Sequence, residues 1–149
     1  MTSNTPMQRL SGLVGTWAMN GRTLSSAEDN ITGEITISPI LGGGYLELKG
    51  TMKFMDNPEF ESLEIIHYDE SRDVFPSLVY ATMGGLTSSP PLEYEWEING
   101  DVVLHRDEGS TYTGKFSQDG KVLDGGWRPN EGQDSSDESA YDLTMTKIH

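Results

Sequence analysis

The chain has 149 residues and no cysteine, and its 24 acidic and 10 basic side chains give a formal net charge of -14. We expect a chain of this length to form a single domain, residues 1–149, with a core of its own. The absence of cysteine excludes disulfides, thiol catalysis and thiolate metal sites. The negative charge would repel nucleic-acid phosphates and anionic lipids, so we expect neither nucleic acid nor a membrane as a partner.

The N-terminal residues 1–6 lack the basic and apolar regions of a secretory signal. No apolar run approaches the roughly 20 residues of a membrane-spanning helix. We therefore expect a cytoplasmic protein whose residues 1–6 are flexible.

Turn residues recur about every ten to twelve positions, and the segments between them are rich in β-branched and aromatic residues, as in antiparallel barrels. A short helical turn over residues 7–14 precedes ten predicted strands, of which the first five span residues 15–24, 31–38, 45–54, 61–69 and 73–82. Pairing the last strand, residues 139–148, with the first closes an all-β, antiparallel, up-and-down barrel. A barrel of this size encloses more space than its side chains must fill, so we expect a cavity.

The alternation of residues predicts which side chains of the first half face inward. Pro39 is expected to end the second strand, because proline cannot donate to a ladder. In the fourth strand, alternation places Leu63 and His67 on one face and Glu64 on the other. We take the face with Leu63 and His67 as the inner one.

Three hairpins are predicted in the second half, at Asn99-Gly100, Glu108-Gly109 and Asp119-Gly120. They would pair Trp96 with Val103, Tyr94 with His105, Glu93 with Arg106, His105 with Tyr112, Phe116 with Leu123, Tyr112 with Trp127, and Lys115 with Asp124. All three registers place His105 and the aromatic side chains on one inner face, which Tyr141 of the last strand shares.

The first hairpin has an alternative register. A three-residue loop over residues 99–101 would pair Trp96 with Leu104 and would send Arg106 inward instead of His105. We favour the two-residue turn, because the neighbouring turns and the opposite-charge pairs agree with it.

The opening Gly15-Thr16-Trp17 resembles the glycine-x-tryptophan start of the lipocalins and the related start of the fatty-acid-binding proteins, both of which are calycins. The chain is also similar to a group of bacterial calycin-like barrels of unassigned function, through Leu13-Val14-Gly15-Thr16-Trp17, Ile40-Leu41-Gly42-Gly43 and Tyr68-Asp69. The resemblance implies that Gly15, Trp17 and Lys147 close the barrel, with Trp17 beneath a cation from the last strand. It also implies a lipocalin-like carrier of a small molecule.

The chain departs from those families in the features that recognise fatty acids. The lipocalin threonine-aspartate-tyrosine motif and the arginine-x-tyrosine pattern for carboxylates are missing, and residues 25–30 are too few for a two-helix lid. The resemblance therefore does not imply a fatty-acid ligand.

We predict that the barrel interior binds a small, mostly apolar molecule. The candidate contact residues are His67, Tyr94, Trp96, His105, Tyr112, Phe116, Trp127 and Tyr141. Core packing alone would also account for these aromatic side chains, and hydrogen bonds to tyrosines would account for a buried histidine.

Two further functions fit the same residues. An isomerase or cyclase would use His105 as the base with Tyr94 or Tyr112 as its partner. A haem-binding barrel would use His67 or His105 as the axial ligand. We expect no metal site, since the three histidines lack ligand spacing, and no cofactor. A rigid barrel that acts through its surface, as a homodimer, is a third hypothesis.

Overall fold

The computed structural model describes residues 5–83, 86–87 and 90–149. A 3-10 helix, Pro6–Leu13, precedes the first strand, and a three-residue 3-10 turn, Leu41–Gly43, follows the second. The strands are β1 (Gly15–Thr23), β2 (Ile31–Ile40), β3 (Tyr45–Phe54), β4 (Phe60–Ile66), β5 (Phe75–Met83), β6 (Leu86–Thr87), β7 (Leu92–Asn99), β8 (Val102–Arg106), β9 (Ser110–Phe116), β10 (Val122–Pro129) and β11 (Tyr141–Lys147).

Ten of these strands form a closed antiparallel barrel, which confirms the predicted fold class. Each strand pairs with the next along the chain, except that β5 pairs directly with β7 and carries the two-residue β6 as an extra partner at its end. The barrel closes where β1 pairs with β11, from Trp17 opposite Lys147 to Thr23 opposite Tyr141.

Trp17 plugs one end of the barrel and is completely buried. Its indole Nε1 donates a hydrogen bond of 2.8 Å to the carbonyl oxygen of Leu13, which ties the 3-10 helix to the strand. Lys147 Nζ lies 5.1 Å from the centre of the Trp17 ring, and the Phe116 ring lies 6.3 Å away. Leu10, also completely buried, completes this closed end.

Gly15 lets the start of β1 pack closely against the C-terminal residue of the chain. Its φ of +141° is a backbone conformation that side chains disfavour, and an added Cβ would lie 2.8 Å from the carbonyl oxygen of His149. Gly15, Trp17 and Lys147 therefore stand together where the first and last strands meet.

One prediction for the N-terminal half, the end of the second strand, differs from the structure. Strand β2 continues through Pro39 to Ile40, because beyond Ile37 it pairs with β3 alone, and proline is tolerated where one side of a strand is an edge. Residues 1–4 of the predicted flexible terminus lie outside the described residues, and Pro6 begins the 3-10 helix.

The predicted inner face of β4 is wrong. Glu64 and Ile66 are buried inside the barrel, Leu63 is only partly buried, and His67 is exposed beyond the end of the strand. The cause is the register with β3, in which Glu64 lies opposite the buried Leu48. Both faces of β4 carry apolar residues, so the partner strand decides which face is turned inward.

The hairpins after β8 and β9 have the predicted pairings, including His105 with Tyr112 and Tyr112 with Trp127. The first hairpin turns at residues 100–101 instead of 99–100, because Gly100 adopts φ +64° at the first central position, as in a type II′ turn.

That turn moves the register of the first hairpin by two residues. The observed partners are Trp96 with His105 and Glu95 with Arg106, so the predicted pairs of Tyr94 with His105, Glu93 with Arg106 and Trp96 with Val103 are wrong. A shift of two preserves the faces, and His105 points inward as predicted.

Among residues 5–83, 86–87 and 90–149, no helix combines the length and the apolar character needed to cross a membrane.

Replacing Trp17 with alanine should remove the plug and destabilise the barrel by about 3–5 kcal/mol, the range for truncating a fully buried tryptophan. Leu24→Ala, at a side chain that is 46% exposed, should cost less than about 1 kcal/mol. Urea unfolding of both variants measures the two losses, and equal losses would show that Trp17 does not anchor the closed end.

Candidate functional site

The barrel interior contains a cavity of about 300 Å³. Its wall is mainly apolar and includes Met19, Ile35, Leu48, Val79, Leu143 and Met145. The polar side chains that reach it include Ser62, Glu64, Tyr94, His105 and Tyr112. An apolar cavity with a few convergent polar groups has the composition of a small-molecule site.

A row of small residues makes room for the cavity. Gly50 on β3, Ser62 on β4 and Ala81 on β5 lie side by side in the sheet and all line the cavity. A Cβ at Gly50 would stand 2.2 Å from the carbonyl oxygen of Glu34, so only glycine fits there. The wall formed by β7–β11 is aromatic, and the small row leaves open space in front of it.

Six of the eight predicted contact residues line this cavity: Tyr94, Trp96, His105, Tyr112, Trp127 and Tyr141. His67 and Phe116 do not line the cavity, and the prediction that they contact a ligand there is wrong. His67 is exposed, with its ring 6.3 Å from that of Tyr45. Phe116 packs at the closed end beside Trp17, because it pairs with Leu123 near the end of the barrel.

Glu64 is the centre of the polar part of the cavity, and only 7% of the residue is exposed. Its Oε2 accepts hydrogen bonds from Ser77 Oγ at 2.6 Å and from Trp96 Nε1 at 2.8 Å. His105 Nε2 lies 3.2 Å from the same oxygen. The carboxylate therefore links strands β4, β5, β7 and β8 through a single oxygen atom.

The other oxygen, Oε1, receives no hydrogen bond from the described residues. Since no buried polar side-chain atom among them is left without a partner, Oε1 is not a fully buried atom. Since Glu64 lines the cavity, we infer that Oε1 is open to the cavity space. Oε2 thus holds the Glu64 side chain in place, and Oε1 remains available to accept hydrogen bonds.

The charge state of Glu64 results from two opposing effects. Burial raises the pKa of its carboxyl group, but the electrostatic interaction with His105 and hydrogen bonds from His105, Ser77 and Trp96 outweigh burial and leave the pKa below its usual value. The carboxyl group is therefore ionised at neutral pH.

His105 is held in a cage of aromatic rings. Its ring stacks on Trp96 with the centroids 3.7 Å apart and an angle of 15° between the planes. Tyr94 lies at 4.9 Å, and Trp127 meets the ring edge-on at 5.2 Å. The packing fixes the imidazole plane and aims Nε2 at Glu64.

The tyrosines of the wall stay protonated at neutral pH. Burial, helped by the negative charges of Asp107 and Glu64, raises the pKa of Tyr94 to about 12. Burial also raises the pKa of Tyr112 and of Tyr141. The Tyr112 hydroxyl donates to the carbonyl oxygen of Leu143 at 3.1 Å, so its role in the wall is structural.

Glu64 and Ser77 belong to the site but are absent from the residues that the sequence predicts. Alternation puts Glu64 on the outer face of β4 and does not identify its neighbours Ser62 and Ile66 as members of an inner face. The available signal is the register of β4 against Leu46 and Leu48 of β3, which follows only if the turn between the strands is predicted correctly.

Neither histidine fits the haem hypothesis. His67 lies outside the barrel interior, and His105 directs Nε2 to Glu64 while its ring stacks on Trp96. In the part of the chain that the structure describes, no group of three or more histidine, aspartate or glutamate side chains could hold a metal ion.

Residues 2–89 match the model of a family described as a protein of unknown function, DUF1579. The chain belongs to this family. No curated protein matches it. The part shared with DUF1579 contains Glu64 and Ser77, whereas Trp96 and His105 lie beyond it. The family match therefore covers the carboxylate but not every group that binds it.

The depressed pKa of Glu64 predicts how stability depends on pH. The carboxyl group of Glu64 has a higher pKa in the unfolded chain than in the folded protein, so its ionised form stabilises the fold. This contribution is present at pH values above the ordinary pKa of 4.5 and is lost as the pH falls below that value. Glu64→Gln should lower the unfolding free energy by roughly 3 kcal/mol at neutral pH, and the gap from wild type should narrow as the pH falls below 4.5.

Urea unfolding across the pH range measures that gap. Glu61→Gln removes an exposed carboxylate from the same strand and controls for the loss of one charge. A gap that stays constant with pH would mean that the stabilising contacts of Glu64 do not depend on its ionisation.

Proposed function

We propose that this barrel binds a small, mostly apolar molecule in its interior, with the polar part of the molecule beside Glu64 and His105. The observation that carries the proposal is the cavity of about 300 Å³ into which this ionised, otherwise buried carboxylate faces. A carboxylate inside an apolar barrel is costly unless it is paired and hydrogen-bonded. Its position at a cavity wall is consistent with a role in binding.

The shape of the cavity supports a small ligand. Its volume is at the lower end of the range for small-molecule sites, about 300–1,000 Å³. The rings of Tyr94, Trp96 and Trp127 form an aromatic wall opposite the small side chains of Gly50 and Ser62. This arrangement suits a molecule with about one planar ring, held by ring stacking and apolar contact.

Acid–base catalysis is a second candidate function, favoured by the contact between Glu64 and His105. A carboxylate that holds a histidine in place is a common arrangement for proton transfer. In an isomerase or cyclase, His105 would be the base, and the protonated Tyr94 would act as the proton donor. The Tyr112 hydroxyl is already bonded to Leu143, so Tyr94 is the better partner of the two.

The binding proposal is tested with 2-phenylethanol, a neutral molecule with one aromatic ring. Titration should quench or shift the tryptophan fluorescence, because Trp96 and Trp127 line the cavity. Ser62→Phe should fill the space opposite the aromatic wall and weaken binding at least about tenfold, with little strain because the site is open.

The matched control is Glu61→Phe, which places the same ring one residue away on the exposed face of β4. This variant should bind 2-phenylethanol as the wild type does. Binding that Ser62→Phe leaves intact, or that both variants weaken equally, would contradict an interior site.

A further inference from the structure

We propose that the ligand is a hydrophobic amine, whose ammonium group binds Glu64 Oε1 and whose apolar body lies against the aromatic wall. This inference rests on the proposed interior site and names the class of molecule that it takes. It separates this barrel from one built to receive a carboxylic acid.

Glu64 has hydrogen-bonding capacity that the protein does not use. Its Oε2 is occupied by Ser77, Trp96 and His105 at 2.6, 2.8 and 3.2 Å. A carboxylate has about four acceptor positions, and Oε1 receives nothing from the described residues. An ionised oxygen open to the cavity requires a donor, and a charged donor gives the stronger, charge-assisted hydrogen bond.

The distribution of charge around the cavity also favours an ammonium group. Among the described ion pairs, His105 is the one basic side chain that contacts Glu64. Arg72 and Arg106 pair with Glu95 on the outer face of β7 instead. A carboxylate ligand would meet a like charge at Glu64 in an apolar space, whereas an ammonium would be attracted to it.

The aromatic wall adds a second attraction for a cation. The faces of aromatic rings attract cations, by about 0.5–2 kcal/mol when the contact is sheltered from water. Trp127 and Tyr94 both line the cavity, with their centroids 6.2 Å apart and their planes nearly perpendicular at 79°. The net charge of -14 also raises the local concentration of cations near the protein.

The experiment compares three probes that share one phenyl ring and differ in the polar group: 2-phenylethylamine, 2-phenylethanol and 3-phenylpropanoate. Isothermal titration calorimetry at neutral pH measures the affinity of each probe for the wild-type protein. We expect the amine to bind about tenfold more tightly than the alcohol, and the carboxylate more weakly than both.

Glu64→Gln keeps the shape of the side chain and removes its charge. This variant should bind the amine about tenfold more weakly and the alcohol within about threefold of the wild type. Glu61→Gln, which removes an exposed charge from the same strand, should keep the wild-type order of affinities. If Glu64→Gln does not fold, the order of the three probe affinities for the wild-type protein still tests the proposal.

The proposal is overturned if 3-phenylpropanoate binds as tightly as the amine, or if Glu64→Gln keeps the preference for the amine. Binding of the alcohol with no preference for the amine overturns the ligand class and leaves the interior site standing. If none of the three probes binds, the interior site and the ligand class both fail.

Discussion

The structure depends on how one buried carboxylate is satisfied. Glu64 sits on the inner face of β4, and its Oε2 takes hydrogen bonds from neighbouring strands, by way of Ser77, Trp96 and His105. Removing water from a carboxylate is expensive, and these contacts offset that cost. The position of Trp96 and the orientation of the His105 ring therefore depend on the same atom.

The rest of the barrel divides into an end that is filled and an interior that is open. At the filled end, Trp17 packs beneath Lys147 and donates a hydrogen bond to Leu13. In the interior, the small Gly50 and Ser62 face large aromatic rings across the barrel, and the difference in size leaves the cavity. A core made of matched large and small residues would interdigitate and close this space, so the cavity results from an uneven distribution of side-chain size.

The barrel and two of the three hairpin registers could be predicted from the sequence, because alternation and turn residues are local signals. The sequence placed His105 inside even though the turn shifted by two residues, since a shift of two preserves the faces. It failed at β4, where Leu63 and Ile66 offered two apolar faces and only the non-local pairing with β3 could choose between them. The same error hid Glu64, because a lone glutamate in an alternating strand ordinarily faces water.

A crystal structure of the protein grown with 2-phenylethylamine tests the central claim most directly. We expect electron density for the ring against Trp96 and Trp127, with the amine nitrogen within hydrogen-bond distance of Glu64 Oε1. A barrel whose aromatic side chains fill the axis and leave no space beside Glu64 would contradict the claim.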